Sequence, residues 1–311
     1  MPNAQVADVV VVVPAYKAVR TIDAALASVA FQGLAPQHVV VVDDGSDDGT
    51  LERLSKWKAH LPLTVVSQPN AGPAAARRRA LEESDERLVA LLDADDVWLP
   101  DHLESLVRAH ERVGGIVTAD AFDWVPGRQL SATRRRLHPI PPADEQRAGI
   151  LLDNFVFVSS VFTRDAYDEA GGFRDGFTGA EDWDLWIRMV RLGVVVTGAP
   201  GPTVLYRRGV ENLTSSVAVY DRYLAVLIAA ADGCQDDQER AIIAERQRWF
   251  WRRRELALAY QAAAAGHSAR ARSHAVSAWP GSLRMSVECA ALLLSPKIGV
   301  ALARRVKGRT T

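Results

Sequence analysis

The sequence is poor in cysteine, with only Cys234 and Cys289 and no CxxC pair. That excludes a disulfide framework and a cysteine-rich zinc site, and it fits a reducing compartment. Long hydrophobic runs are also missing. The apolar stretch Val9 to Val13 has no basic segment before it and is too short for a signal-peptide core or a membrane span, so it reads as a first buried strand. Ala290 to Leu294 is apolar too, but Pro296 and Lys297 interrupt it, and no transmembrane helix is expected. Charge of one sign is absent: a net charge of -1 over 311 residues gives no global field to attract a polyanion, so nucleic acid is not an expected partner. No GxGxxG or Walker-type lysine loop occurs, which removes dehydrogenase and NTPase readings.

What is present is the composition of an ordinary globular enzyme, 48% apolar and 24% charged, on a chain long enough for one large domain and a smaller appendage. From Val9 to about Val196, β-branched runs alternate with helical patterns, the mark of an α/β domain. Strands are expected at Val9 to Val13, Val39 to Val42, Leu63 to Val66, Leu88 to Leu92 and Ile116 to Ala119; the continuous valine runs of the first two predict burial on both faces. Helices are expected from an N-cap at Thr21, from Thr50, from Pro73, and from a capping box made by Asp101 and Glu104. Pro126 to Gly149 has no clean period and reads as a long loop. From about Val217 strand signals fade into alanine-, leucine- and arginine-rich helices broken near Gly266 and Pro280. The expected division is 1-216 and 217-311.

Acidic residues gather where strands end. The second strand runs into DDGSDDGT, placing Asp43 and Asp44 at the carboxyl edge of the sheet, where open α/β folds bind ligands; the same residues also serve as turn and cap formers. A later strand ends in LLDADDVW, and Asp93, Asp95 and Asp96 repel one another unless a cation or donors offset them. A few carboxylates with spare positions suit Mg2+ or Mn2+ bridging to phosphates. In GGFRDGFTGAEDWDLWIRM a glycine-rich loop leads into a helix from about Glu181, and the helix dipole favours ionised Glu181 and Asp182 in its first turn. Either can serve as general base or as a capping acid.

VVVPAYK, DDGSDDGT, NAGPAAAR, LLDADDVWLPD and GAEDWDLW occur together in an order and spacing that resemble the family 2 glycosyltransferases, over about two thirds of the chain. The resemblance implies a GT-A fold, a Rossmann-like mixed sheet flanked by helices with a small helical C-terminal region. It implies a nucleotide-diphospho-sugar donor and an inverting transfer. By similarity, Pro14, Ala15 and Tyr16 surround the nucleotide, Asp44 contacts the base and Arg77 reaches the base or diphosphate. Asp93 holds the ribose or the metal shell, Asp95 is the metal ligand for Mn2+ or Mg2+, Asp182 is the base, and Glu181 and Trp183 shape the acceptor side. One departure stands out: after Leu205, Tyr206 and Arg207, where many relatives carry a histidine, Arg208 and Gly209 follow.

A UDP-sugar donor and a glycan or lipid-linked acceptor in cell-surface polysaccharide or glycolipid synthesis are the expected partners. The competing reading is a sugar-nucleotide or glycan binding module without transfer. The aromatic and arginine tract Trp249 to Arg254, with Lys297, Arg304, Arg305, Lys307 and Arg309, fits either a solvated face or peripheral contact with the inner face of the plasma membrane, on a protein expected in the cytoplasm. His102 and His110 have no third ligand in view and are expected to be non-catalytic.

Overall fold

The computed structural model describes residues 5–296 apart from 126, 128–129, 131–132, 178, 209–216 and 280–281. It divides into two compact units, Met1–Glu211 and Asn212–Thr311.

The first unit is built on one sheet. Its strands are β1 (Val6–Ala15), β2 (Ala35–Asp43), β3 (Leu63–Ser67), β4 (Leu88–Leu91), β5 (Val97–Trp98), β6 (Ile116–Trp124), β7 (Ser160–Thr163) and β8 (Val196–Arg207), in the order β3-β2-β1-β4-β7-β6-β8-β5. β1 to β4 run parallel, β7 lies antiparallel between β4 and β6, and β5 pairs antiparallel with β8, so the sheet is mixed. Val9 to Val13 and Val39 to Val42 are fully buried, as strands covered on both faces must be. Because β1, β2 and β4 are parallel, Ala15, Asp43 and the residues after Leu91 arrive at one edge.

The helices of this unit are α1 (Ile22–Ala30), α2 (Thr50–Trp57), α3 (Pro73–Glu82), α4 (His102–Val113), α5 (Arg134–Leu137), α6 (Gln146–Leu152), α7 (Arg164–Glu169) and α8 (Glu181–Arg191). Two expected caps do not form. Thr21 makes no side-chain cap bond and donates its hydroxyl to Ala18 O instead. The Asp101–Glu104 box is replaced by a tertiary cap: buried Gln32 accepts from Leu103 N at 2.8 Å, while Glu104 pairs with Arg108. A side chain from the loop after α1 outcompetes a local one because it is already desolvated and fixed. Part of the expected loop between Pro126 and Gly149 is helical, in α5 and the first residues of α6. Gln146 exchanges two hydrogen bonds with the backbone of Val196 (2.7 and 2.8 Å), which ties α6 to β8. Both helices are too short to show a period in sequence. His102 is a core residue: it bonds Thr203 Oγ1 at 2.9 Å and stacks on Trp98, and burial lowers its pKa to about 3.

The second unit holds α9 (Ala218–Asp232), α10 (Asp237–Ala264), α11 (Ser268–Ser277) and α12 (Leu283–Leu294). Asp236 caps α10 by accepting from Glu239 N at 2.8 Å, and Gly266, at φ 81°, turns the chain out of its far end. Leu256, Ala259, Ala275, Ala278, Met285, Cys289 and Leu292 form a small core.

Gly115 sits at the α4–β6 junction with φ 70°, and a Cβ there would lie 2.1 Å from Val195 O. Gly115→Ala is therefore expected to cost about 2–3 kcal/mol, through left-handed strain and a backbone clash. Urea denaturation of the two proteins measures this, and equal midpoints would refute it.

Candidate functional site

The β1 and β2 ends are braced against each other before any ligand is considered. Ser46 Oγ accepts from Lys17 N (2.9 Å), Thr50 Oγ1 from Ala18 N (2.9 Å) and Asp48 Oδ2 from Val19 N (3.2 Å), so the DDGSDDGT turn holds the loop after β1. Pro14 and Ala15 close β1, Ala15 O accepts from Asp44 N at 2.8 Å, and Tyr16 stands half exposed beyond them. Asp44 is buried and busy. Its Oδ1 accepts from Gln68 Nε2 (2.8 Å) and Ala71 N (2.9 Å), and its Oδ2 from Gly72 N (2.8 Å), which shapes the turn into α3. The neighbouring Asp43 is equally buried, yet its Oδ1 has no hydrogen-bond partner among the described residues. A buried carboxylate oxygen left unpaired at a sheet edge calls for a ligand donor.

α3 carries Arg77 inward, where its guanidinium joins two segments. Nη2 donates to Asp93 Oδ1 at 2.6 Å, Nη1 donates to Glu181 Oε1, and the group packs on the Phe173 ring at 5.7 Å. Arg77 and Glu181 are both nearly fully buried, whereas Asp93 keeps some exposure. Burial opposes the Arg77 charge, but Asp93, Glu181 and Asp182 outweigh it and raise its pKa, so it stays protonated.

After β4 the chain folds back tightly, with Asp96 N donating to Asp93 O (3.1 Å). Burial first, then the charge of Asp93, raises the Asp95 pKa to about 6. Fully buried Asp96 is raised well above the usual range for the same reasons; its Oδ1 accepts from Arg207 N (2.9 Å) and its Oδ2 has no hydrogen-bond partner among the described residues. Arg207 also donates from Nε to Asp95 O (2.9 Å) and stacks on Trp124, and Arg208 pairs with Asp123 at 3.1 Å. Where the sequence departs from the family pattern by lacking a histidine, arginine therefore clasps the acidic loop from the side.

Asp182, in the first turn of α8, accepts from its own neighbour Trp183 N (2.8 Å) and from Asn154 Nδ2 (3.4 Å). A helix terminus acting alone would keep it ionised. Burial and then the Glu181 charge instead raise its pKa to about 6, against the opposing pull of Arg77. The Asp93 charge reaches both Asp95 and Asp182, so the acids from the two segments share one electrostatic basin. Trp183 turns into the core and donates Nε1–H to Ile150 O (2.7 Å), anchoring α8 to α6. Asn154, which no motif in the sequence singles out, occupies the open side of Asp182. The backbone before α8 is held unusually: Ala180 has φ 66°, a left-handed conformation for a residue with a Cβ.

Among the described residues, no group of three or more His, Cys, Asp or Glu side chains is arranged to hold a metal ion. The donor set nonetheless suits a cation that takes one or two protein carboxylates and fills its remaining positions with phosphate oxygens and water. Asp95 is partly exposed, and unpartnered Asp96 Oδ2 lies beside it in sequence.

Comparison with known proteins gives four matches that bear on this geometry. The model for "Glycosyl transferase family 2" matches residues 10–171. The succinoglycan biosynthesis protein ExoW of Rhizobium meliloti (strain 1021) is 34% identical over 168 residues, 49% of this chain, and the match spans about half (53%) of that protein. Among solved structures, S. aureus TarS 1-349 in complex with UDP-GlcNAc superposes with a TM-score of 0.61 at 17% identity, covering 96% of this chain and 91% of that one. The mannosyltransferase PcManGT from Pyrobaculum calidifontis in complex with GDP-Man and Mn2+ gives 0.60 at 18% identity, covering 96% and 86%. At that identity the likeness concerns the fold, which is of the GT-A type.

Removing Arg77 leaves Asp93 and Glu181 facing each other unneutralised. Arg77→Met is expected to destabilise the chain by about 3–5 kcal/mol, as for other broken buried ion pairs. The check is urea denaturation; a loss under about 1 kcal/mol would show that the bridge does not hold the two segments.

Proposed function

Since the chain belongs to glycosyl transferase family 2, we propose that it moves a sugar from a nucleotide-diphosphate donor, by preference a UDP-sugar, onto an acceptor hydroxyl with inversion at the anomeric carbon. The observation that carries this reading is the Arg77 bridge, which bonds Asp93, two residues from Asp95, and Glu181, next to Asp182, and so brings the two acidic segments together.

The base and ribose of the donor would lie along the β1, β2 and β4 ends, between Pro14, Ala15 and Tyr16 and the acids Asp43, Asp44 and Asp93. Asp44 already organises the Gln68–Gly72 turn, so Asp43, with its unpaired oxygen, is the better placed of the pair to accept a base N–H. Asp95 is the residue to hold Mg2+ or Mn2+; when bound, such a cation stabilises the charge that builds on the departing diphosphate. Arg77, whose two terminal nitrogens are each taken by a carboxylate, keeps the donor side and the acceptor side in register.

Asp182 takes the proton from the acceptor hydroxyl. The oxygen then bonds to the anomeric carbon as the bond from that carbon to the phosphate oxygen breaks, and the nucleoside diphosphate leaves with the electron pair. A pKa of about 6 suits a general base, because above it the carboxylate is free to accept a proton and is more basic than an ordinary aspartate. Asn154 holds the carboxylate in place, and buried Glu181 raises its basicity.

The name of the ExoW relative suggests a polysaccharide context, so the proposed acceptor is a growing glycan or a lipid-linked one in cell-surface polysaccharide or glycolipid synthesis. No helix among the described residues is long and apolar enough to cross a membrane. Peripheral contact with the cytoplasmic face is proposed through α10, where Trp249 and Trp251 are partly exposed and Arg246 and Arg253 pack on Trp249. The basic tail from Lys297 onward lies outside the described residues.

Two experiments test these readings. A panel of UDP- and GDP-sugars with Mg2+ or Mn2+ is scored for donor hydrolysis and transfer, where indifference to every donor would favour a binding module. In it, Asp182→Asn is expected to bind donor within a few-fold of wild type while transfer falls about 10²–10⁴-fold. Transfer by the wild type should rise with pH and level off above about 6, since the protonated acid is inactive. Full activity at pH 4.5 would remove Asp182 from the role of base. Separately, co-sedimentation with anionic against neutral vesicles should favour the anionic ones and weaken with salt; equal recovery would end the membrane reading.

A further inference from the structure

Beside Asp182 lies a small, partly open cavity whose lining includes Thr118, Arg134, Arg135, His138, Asn154 and Phe157. Asn154 is common to this cavity and to the base, since its Nδ2 donates towards Asp182 Oδ2 at 3.4 Å. Its Oδ1 is buried with no hydrogen-bond partner among the described residues. A molecule seated in the cavity therefore has a hydrogen-bond acceptor waiting for it, one side chain away from the proton acceptor.

The cavity has basic side chains and no acid in its lining. The guanidinium of Arg135 donates to two backbone carbonyls, Ala199 O at 2.7 Å and Thr118 O at 3.2 Å, and has no carboxylate partner among the described residues. Gly198 makes room for it, because a Cβ there would lie 2.6 Å from its head group. Arg134 packs against the perpendicular pair of rings made by Phe157 (5.3 Å) and Tyr206 (4.9 Å), cation–π contacts that restrict its guanidinium. Its nearest carboxylate, Asp123, is 3.8 Å away and is shared with Arg208, which sits closer at 3.1 Å. The charge of Arg134 also reaches buried Asp96, while the acids closer to the cavity have other partners. Asp153 takes His138 Nδ1 (2.6 Å), and Asp120 Oδ1 accepts from the backbone N–H of Ala121 and Arg135, both at 2.8 Å. Two guanidinium groups thus share one carboxylate beside a third that pairs with carbonyls alone.

We propose that this cavity seats an anionic group of the acceptor, a carboxylate or a phosphate, and that Arg134 is the side chain that selects for it. The assignment to an acceptor rests on the transferase reading above. A guanidinium held by aromatic rings and lacking a close carboxylate of its own forks onto carboxylate or phosphate oxygens, and the neighbouring rings offer apolar surface to the sugar or linker that carries the charge. A neutral sugar would leave this charge unmatched in a half-buried site, so the cavity discriminates against it. The donor diphosphate is the other anion in the reaction, but its expected place is the Asp95 side of the basin.

The test uses the full chain saturated with UDP and Mg2+, titrated calorimetrically with methyl β-glucuronide, inorganic phosphate and methyl β-glucoside. At least one anion is expected to bind while the glucoside does not at the same concentrations. Arg134→Gln should weaken that binding about tenfold or more, and Arg134→Lys should fall between the two because it keeps charge but loses the fork. A preference for the glucuronide identifies an acidic sugar, and a preference for phosphate identifies a phosphate-linked acceptor. Equal binding of the glucoside, wild-type anion affinity in both Arg134 variants, or anion binding seen without UDP and lost with it would each overturn the proposal. A wild-type chain that binds the anion but takes up no nucleotide overturns the transferase reading instead, and with it the assignment to an acceptor.

Discussion

The buried guanidinium of Arg77 is the joint on which this site depends. It reaches from α3 to Asp93 after β4 and to Glu181 at the start of α8, residues that lie far apart in the chain. Burying one cation between two carboxylates is costly in desolvation, and it persists only because the geometry matches each N–H pair to an oxygen. The gain is positional: the end of the parallel half of the sheet and the helix that carries Asp182 cannot drift apart without exposing three unpaired charges. The acids after β4 and those at the start of α8 are thereby held together.

Electrostatics inside that basin are set more by burial than by local helix geometry. Asp95, Asp96 and Asp182 are all pushed upward first by desolvation and then by neighbouring acids, with Arg77 or Arg207 only partly offsetting the effect. Such a cluster is poised to welcome positive charge on the Asp95 side and a proton on the Asp182 side. Those are the two demands of the displacement proposed above, which releases a diphosphate while deprotonating an alcohol. The same physics gives the α8 terminus a second use. Its left-handed Ala180 and the Asp184 carboxylate, held by Arg174 and Arg188, pin the loop before the helix, so Asp182 is presented by a rigid support.

Away from this shared machinery, the segment between β6 and β7 gives the chain its own character. α5 and α6 dock onto the sheet through Arg135 and Gln146, whose side chains satisfy backbone groups of β8 and its surroundings. By fixing those helices, they place Arg134 and Asn154 in the lining of one cavity, with Asn154 bonded to Asp182. A few hydrogen bonds from polar side chains to backbone convert an aperiodic stretch into a wall with a defined charge.

The valine runs, the glycine and proline punctuation and the acids at strand ends are local signals, and from them the sequence determined the α/β alternation, most strand positions, the start of α3 at Pro73 and the identity of the acidic cluster. Only the tertiary structure decided what those acids do to one another. That Asp44 is occupied by the Gln68–Gly72 turn while Asp43 keeps an unpaired oxygen, that Arg77 faces two carboxylates, that Trp183 points into the core, and that Gln32 rather than Asp101 caps α4 all depend on segments meeting in space. Hydrogen bonding and desolvation act through distances the chain does not encode by spacing alone. For that reason the partners, pKa shifts and acceptor-side cavity became readable only once the sheet had brought its edges together.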